Sequence, residues 1–331
     1  MTPTQLRTYV AIVRNGTSKA AAVELGVSEA AVSGQVASLR RELDDVLFER
    51  SASGLRFTPG GLRLATRAVE LLGLQDQTRQ EVRTAAGGRR VLRLAVSSLF
   101  GEYAAPGLIE LFSDRARDLD IEMSVHPPGR LGALLASRVT DAAIGPHLRL
   151  LPDDVVSREF LRYQLIIVTA PGHHLAGRRV RPEELAEATW FLGPSAVDEN
   201  GLTWQLLKRF GVPEANQRIF QSHAAAIIDA GRRGHPDGHG RQSGTRQGVA
   251  LAPAHYVAAD LAAGRLVRVD TPGNQMDGVW SVMTLPRSQA APVAAELVRF
   301  VTTPRAIQAM LSGSGANISH FKPSVHITIW S

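Results

Sequence analysis

The 331-residue chain contains no cysteine. That absence excludes a disulfide framework, a thiolate zinc site and a cysteine nucleophile together, and it suits a reducing compartment. Long hydrophobic runs are missing as well. The longest clear one, Leu165 to Ala170, falls far short of the roughly 18 apolar residues that suggest a membrane span. The first apolar stretch, Tyr9 to Val13, meets Arg14 at once, unlike an export signal. A cytoplasmic location with no membrane partner is therefore expected. There is no Gly-x-Ser-x-Gly elbow, phosphate loop or metal-ligand spacing, so no catalytic residue, metal or cofactor is expected and an enzyme ranks low.

The rest of the composition is ordinary. Hydrophobic residues are 44% and charged residues 21%, a globular mix, and the length predicts two or three domains. Net charge is +6, and the first 90 residues hold 13 Lys and Arg against 9 Asp and Glu, four of that six. Such an excess permits a nucleic-acid partner without requiring one.

The first 90 residues read as helical almost throughout. Leu6, Val10 and Val13 share a face. Lys19 to Leu25 is a short Ala-rich helix ended by Gly26, and Ser28 is placed to cap the next helix with Glu29 in its first turn. Val32, Val36, Leu39 and Leu43 form that helix's buried stripe. Ser51 to Phe57 reads as a hairpin, and a long helix runs from Pro59 to about Ala86. Gly87-Gly88 reads as a hinge. Beyond it, strands (from Val91, Ile121, Asp141, Leu165, Thr189, Val249 and Val279) alternate with helices, which predicts a parallel sheet with flanking helices in two α/β lobes. Gly231 to Gln247 holds five Gly, four Arg and two His without an aliphatic or aromatic residue, and reads as a solvated loop.

Two short helices meeting at a glycine are the helix-turn-helix pattern, whose second helix can enter the DNA major groove. The outward face of that helix carries Glu29, Ala30, Ser33, Gly34 and Gln35. "YVAIVRNGTSKAAAVELGVSEAAVSGQVASLRREL" from Tyr9, "LFER" at Leu47 to Arg50 and "FTPGG" at Phe57 to Gly61 resemble the LysR-type transcriptional regulators. The resemblance extends over nearly the whole chain. It implies a winged helix-turn-helix at 1–58, a linker helix and hinge at 59–90, and a two-lobed periplasmic-binding-protein-like α/β effector domain at 91–331. Lobe I would take about 91–161 and 266–331, and lobe II about 162–265.

Carried over by position, the resemblance implies double-stranded operator DNA as partner. Ser28 caps the recognition helix, Glu29, Ala30, Ser33 and Gly34 face the bases, and Arg50, Arg56 and Thr58 serve phosphate. The family usually has glutamine where Glu29 stands, glutamate where Arg40 stands and glycine where Asp44 stands; Ser18 replaces a common aromatic. Leu62, Ala65, Val69 and Leu72, at spacings of three and four with Val82 later in register, read as a dimerisation seam. The family pattern implies a homodimer or homotetramer. It also places a small-molecule effector, read as acidic or phosphorylated, in a cleft. Ser97, Ser98, His126, Pro127 and Gly129 would form one wall, and Gly193, Pro194, Ser195, Gln221 and Ser222 the other, with Arg130 beyond the first. The segments Thr303 to Leu311 and Phe321 to Ser331 resemble the actinobacterial branch near the Calvin-cycle-type regulators. The histidine pairs His173/His174 and His235/His239 read as surface histidines. The main alternative is a solute-binding α/β protein whose N-terminal helical domain is structural.

Overall fold

The computed structural model describes residues 1–51, 54–199, 201–231, 247–273, 276–312 and 325–329. The chain divides into two compact units, residues 1–90 with 133–140, and 91–132 with 141–331.

The first unit starts with α1 (Pro3–Asn15), α2 (Ser18–Leu25) and α3 (Glu29–Leu43). Thr17 caps α2 by accepting the Ala20 N–H at 3.1 Å, and Gly26 ends it at φ +65°. That left-handed position is open to glycine at little cost. Ser28 caps α3 in turn, accepting the Ala31 N–H at 3.1 Å. Strands β1 (Phe48–Ser51) and β2 (Gly54–Phe57) form an antiparallel hairpin, Phe48 opposite Phe57 and Glu49 opposite Arg56. The wing therefore begins three residues before the expected Ser51. A 27-residue helix, α4 (Pro59–Ala85), follows.

The core of this unit is Tyr9, Ile12, Ala21, Val32, Val36, Leu39, Leu47 and Phe48. Two buried polar devices tie it to the start of α4. The Tyr9 hydroxyl donates to the Gly61 carbonyl at 3.0 Å, and burial, then the nearby Asp45 charge, pushes its pKa up to about 12. Asp45 accepts the Leu47 N–H at 2.6 Å and the Thr58 hydroxyl at 2.7 Å. A Cβ on Gly61 would sit 1.9 Å from the Leu47 carbonyl oxygen, so close approach makes glycine obligatory there.

The second unit contains β3 (Arg90–Val96), α5 (Ser98–Tyr103), α6 (Ala105–Arg115), β4 (Leu119–Val125), α7 (Pro128–Ala136), β5 (Ala142–Pro146) and β6 (Val156–Thr169). Then come α8 (Pro182–Glu187), β7 (Thr189–Leu192), α9 (Leu202–Arg209), β8 (Gln217–Ile219), α10 (His223–Gly231), β9 (Gly248–Pro253), α11 (Ala258–Ala262) and β10 (Val267–Arg268). The last elements are β11 (Met276–Thr284), α12 (Pro292–Val301), α13 (Pro304–Ser312) and β12 (Val325–Ile329). The strand order is β12-β4-β3-β5-β11-β6-β9-β7-β8, with β10 on β6.

The sheet is mixed, which corrects the expectation of a parallel one. The β3/β5, β7/β9, β7/β8 and β4/β12 pairs are parallel, but β11 and β6 pair antiparallel with each other and with β5 and β9. These two strands run through both lobes and join them. The sequence hid the first half of β6, because four of the seven residues from Val156 to Arg162 are exposed, three of them charged, and the stretch lacks strand alternation. β10 stays on lobe II through Thr169 and Val168, so the return crossing starts at β11, later than the expected 266. Two helices, α5 and α6, separated at Ala104, lie between β3 and β4. Residues 232–246, most of the expected loop, lie outside the described residues.

The larger core gathers Leu94, Phe100, Ile109, Ile144, Leu165, Trp190, Val249 and Trp280. Trp280, fully buried, stacks on Tyr163 at 4.4 Å and meets Phe100 edge-on at 5.1 Å.

Two glycines give an opposed test. Gly61→Ala must push apart the Leu47 carbonyl and is expected to destabilise the chain by about 3 kcal/mol. Gly34, in mid-helix with open space at its Cβ position, should gain up to about 1 kcal/mol as alanine. Urea unfolding of both variants checks this; equal midpoints would refute the packing described.

Candidate functional site

On α3, Ser28, Glu29, Ala30, Ser33 and Gly34 are exposed, while Gln35 is half-buried. The buried stripe on the other side is Val32, Val36 and Leu39. The helix thus offers small and polar side chains along one uncovered row, an arrangement that lets a backbone approach base edges. Arg56 is exposed on the wing and ion-paired with Glu49. Such exposed pairs are weak and can exchange a carboxylate for a phosphate. Arg50 pairs through its backbone with Leu55; its side chain lies outside the described residues.

Thr58 has a different task from the one expected. Its hydroxyl accepts the Gly61 N–H at 2.9 Å and donates to Asp45, so its oxygen caps α4 while its one proton is committed to Asp45. Asp44, where the family pattern has glycine, ends α3 at φ +49°. Aspartate is among the few side chains that tolerate this region.

The expected seam is out of phase with the free face of α4. Ala65 packs on the winged core with Leu64, which corrects its placement, and Val69 and Leu72 are half-buried. Leu62 is exposed, as are Leu71, Leu74 and Val82. At about 100° per residue, Leu71, Leu74 and Val82 share one face and Leu62 lies on the other side.

In the two-lobed unit, Ser97 precedes α5 and is buried, with a hydroxyl that finds no partner among the described residues. Ser98 is half-buried at the first position of a helix only six residues long. His126 is half-buried, with its Nε2 at 3.1 Å from the Ser124 hydroxyl. Burial, then the Arg130 charge, lowers its pKa. Pro127 and Gly129 are exposed, as is Arg130.

The other wall is more elaborate than its sequence suggests. Ser195 Oγ lies 2.8 Å from His223 Nε2 and 3.2 Å from Thr203 Oγ1. His223 Nδ1 lies 2.9 Å from Glu102 Oε1. The same carboxylate accepts the backbone N–H groups of His223 and Ala224, each at 3.1 Å. Glu102 belongs to α5 in lobe I; Ser195 and α10 belong to lobe II. One carboxylate therefore caps a helix of the opposite lobe and holds its histidine. Burial alone would raise the Glu102 pKa, but the hydrogen bonds and charge of His223 outweigh it and leave it lowered. Gly193 is buried against this group, and a Cβ there would fall 2.3 Å from the His223 ring. Ser222 caps α10 through the Ala225 N–H at 3.1 Å. Pro194 is half-buried in the turn with Ser195, and Gln221 is exposed.

Glu102 and His223 were not singled out from sequence. They lie 121 positions apart, and neither belongs to a motif. Tyr103 was also missed: its ring lies tilted against Tyr256 at 4.3 Å and meets His223 edge-on at 6.1 Å. Burial, then the Glu102 charge, raises its pKa far above the ordinary value.

His173 is buried, which corrects its reading as a surface histidine. It stacks on His174 at 4.4 Å and accepts the Leu175 N–H at 3.1 Å. No group of three or more metal-ligating side chains occurs among the described residues, and His235 and His239 lie outside them. No helix among the described residues is long and apolar enough to cross a membrane.

Two family models match the chain. "Bacterial regulatory helix-turn-helix protein, lysR family" matches residues 3–62, and "LysR substrate binding domain" matches residues 85–235. An uncharacterized HTH-type transcriptional regulator of Mycobacterium tuberculosis is 52% identical, covering 100% of both chains. The RuBisCO operon transcriptional regulator of Allochromatium vinosum is 28% identical over 90% of this chain and 94% of its own. Among solved structures, ArgP from Mycobacterium tuberculosis aligns with a TM-score of 0.60 at 19% identity, over 94% of this chain and 97% of its own. Full-length CbnR complexed with its target DNA aligns at 0.58 and 17% identity, over 91% and 99%. At these identities the two structures speak for the fold.

The buried His173 gives a pH prediction. Burial, then the His174 charge, lowers its pKa from 6.5 to about 4. Below 6.5 the unfolded chain takes up the proton first, so stability should fall as pH drops toward about 4. His173→Gln should flatten that part of the stability curve. A slope unchanged by the substitution would mean the proton binds elsewhere.

Proposed function

The chain belongs to the LysR family of DNA-binding transcriptional regulators, and from that premise we propose how its own residues do the work. Operator DNA is read by the α3 row of Glu29, Ala30, Ser33 and Gly34, with Gln35 at its edge. Arg50 and Arg56 of the wing serve the phosphates. Ser28 and Thr58 act one step back, by fixing the ends of α3 and α4. The observation that carries this is the uncovered α3 row beside an exposed wing cation. Glu29 accepts hydrogen bonds only, which suits a cytosine N4 amine and opposes phosphate. The protein acts in the cytoplasm, without catalysis, as a homodimer or homotetramer. The apolar face of α4 at Leu71, Leu74 and Val82 supports a seam there better than the row from Leu62 to Leu72.

A small anionic effector modulates DNA binding from the cleft between the lobes. Ser98, His126 and Arg130 offer donors or positive charge on the lobe I side. The Glu102–His223–Ser195 chain acts as a clasp between the lobes, and a ligand works by favouring one arrangement of it. Its order matches that of a hydrolytic triad, but the surroundings do not favour acyl transfer. Ser195 also bonds Thr203, the His223 ring fills the space beside Gly193, and the Glu102 carboxylate is spent on helix α10.

Two experiments test this reading. In gel shifts on the intergenic DNA upstream of its own gene, Arg56→Ala should weaken binding across sequences and reduce the salt slope by about one unit. Ser33→Ala should instead reorder the preferred operators. Unchanged binding in both variants, with helicity intact by circular dichroism, would remove the interface.

For the clasp, Glu102→Gln keeps the shape while removing the charge that His223 and α10 meet. Loss of charge-assisted bonds at a partly buried site is expected to cost about 2 kcal/mol of stability. The DNase footprint on the same DNA should change without any added metabolite. A wild-type footprint from a folded Glu102→Gln protein would show that the clasp has no part in regulation.

A further inference from the structure

Lobe II carries a second polar feature, away from the Glu102–His223–Ser195 chain. A cavity of about 400 Å³ is lined by Gly177, Arg178, Arg179, Arg268, Asp270, Thr271 and Pro272, a volume within the usual range for small-molecule sites. Three arginines face one aspartate in that lining. Two of the guanidinium groups are positioned by carboxylates: Arg178 Nη2 reaches Glu184 Oε1 at 2.6 Å, and Arg268 Nε reaches Asp270 Oδ1 at 3.1 Å. A guanidinium has five N–H donors in a planar fork, so each pair leaves further donors. Arg179 has no hydrogen bond or ion pair to a side chain among the described residues; its backbone is held by an isolated bridge to Asp270.

These observations point to the same ligand chemistry. An unpaired arginine on the surface is ordinary. Three arginines around a cavity, with carboxylates only at Glu184 and Asp270, leave donors and positive charge unmatched in one place. A tetrahedral oxyanion with several acceptor oxygens would meet more than one guanidinium fork at once. The pairing of Val180 N–H with the Asp270 carbonyl at 2.8 Å keeps the two halves of the lining in fixed register. We propose that this cavity is a second ligand site, independent of the interlobe cleft, that binds a small phosphate-bearing metabolite. Its lining segment 268–272 leads toward β11, the return strand between the lobes. Occupancy there would bear on the same element that joins the lobes.

The test uses the full-length chain and pyrophosphate as probe, by titration calorimetry at low salt, with inorganic phosphate as the smaller comparator. One site per chain is expected, tighter for pyrophosphate. Arg179→Ala and Arg268→Ala should each weaken binding about tenfold, and Arg179→Lys should restore part of it. Ser98→Ala with Ser195→Ala should leave pyrophosphate binding as in the wild type, which separates this site from the cleft. Loss of binding in the serine variants instead would assign the anion to the cleft and overturn the proposal. So would failure of the wild type to bind either probe. If Arg179→Ala lowers operator affinity while pyrophosphate binding is absent, the arginines serve the DNA backbone and the proposal again falls.

Discussion

The effector domain turns on where one carboxylate sits. Glu102 extends from α5 in lobe I to the first turn of α10 in lobe II, where it accepts two backbone N–H groups and meets the His223 ring. The amino end of a helix carries unsatisfied donors and partial positive charge. A side-chain carboxylate from the other lobe satisfies both. The rest of that wall follows from it. His223 is held so that its Nε2 faces Ser195, Gly193 has no room for a side chain, and Tyr103 and Tyr256 close over the carboxylate's flank. Apart from β6 and β11, it is the most direct polar tie between lobes among the described residues.

The sequence was legible where chemistry is local. Gly26 at a left-handed position and Ser28 as a cap mark helix ends by rules that act over three or four residues. The buried stripe of α3 was equally plain. Thr58 shows the limit of the same logic. A hydroxyl just before a proline serves as a cap or as a phosphate contact with the same neighbours in sequence. Only the Asp45 carboxylate, 13 positions away, decides between them. Crossing strands failed for a related reason: the first half of β6 is a strand because β11 pairs with it, and nothing in its own alternation requires that.

The linker helix failed in another way. Its apolar residues make two rows, and periodicity alone assigns neither to a partner chain. Ala65 and Leu64 are consumed by the winged domain, which leaves Leu71, Leu74 and Val82 uncovered. Because the seam repeats every 3.5 residues and the helix every 3.6, a row that begins correctly near Leu62 drifts little over three turns. The error was therefore one of face and not of drift.

The clasp also bears on effector charge. An anion placed at α10 would compete with Glu102 for the same N–H donors and would stand beside a carboxylate that its partners keep ionised. Like charges at that distance are costly where water is scarce. The negative group of an effector is better served by lobe I, where Ser98 opens α5 and Arg130 lies just past His126. Burial and Arg130 both oppose protonation of His126, so that side offers its positive charge through arginine and its hydrogen bonds through neutral groups. An effector held there, with a neutral hydroxyl or amide directed at Ser195, would touch the clasp without displacing the carboxylate. One displacing it outright would have to supply two N–H acceptors and a partner for His223 at once. On the function proposed above, the more economical switch would alter the Ser195–His223 bond and leave Glu102 in place.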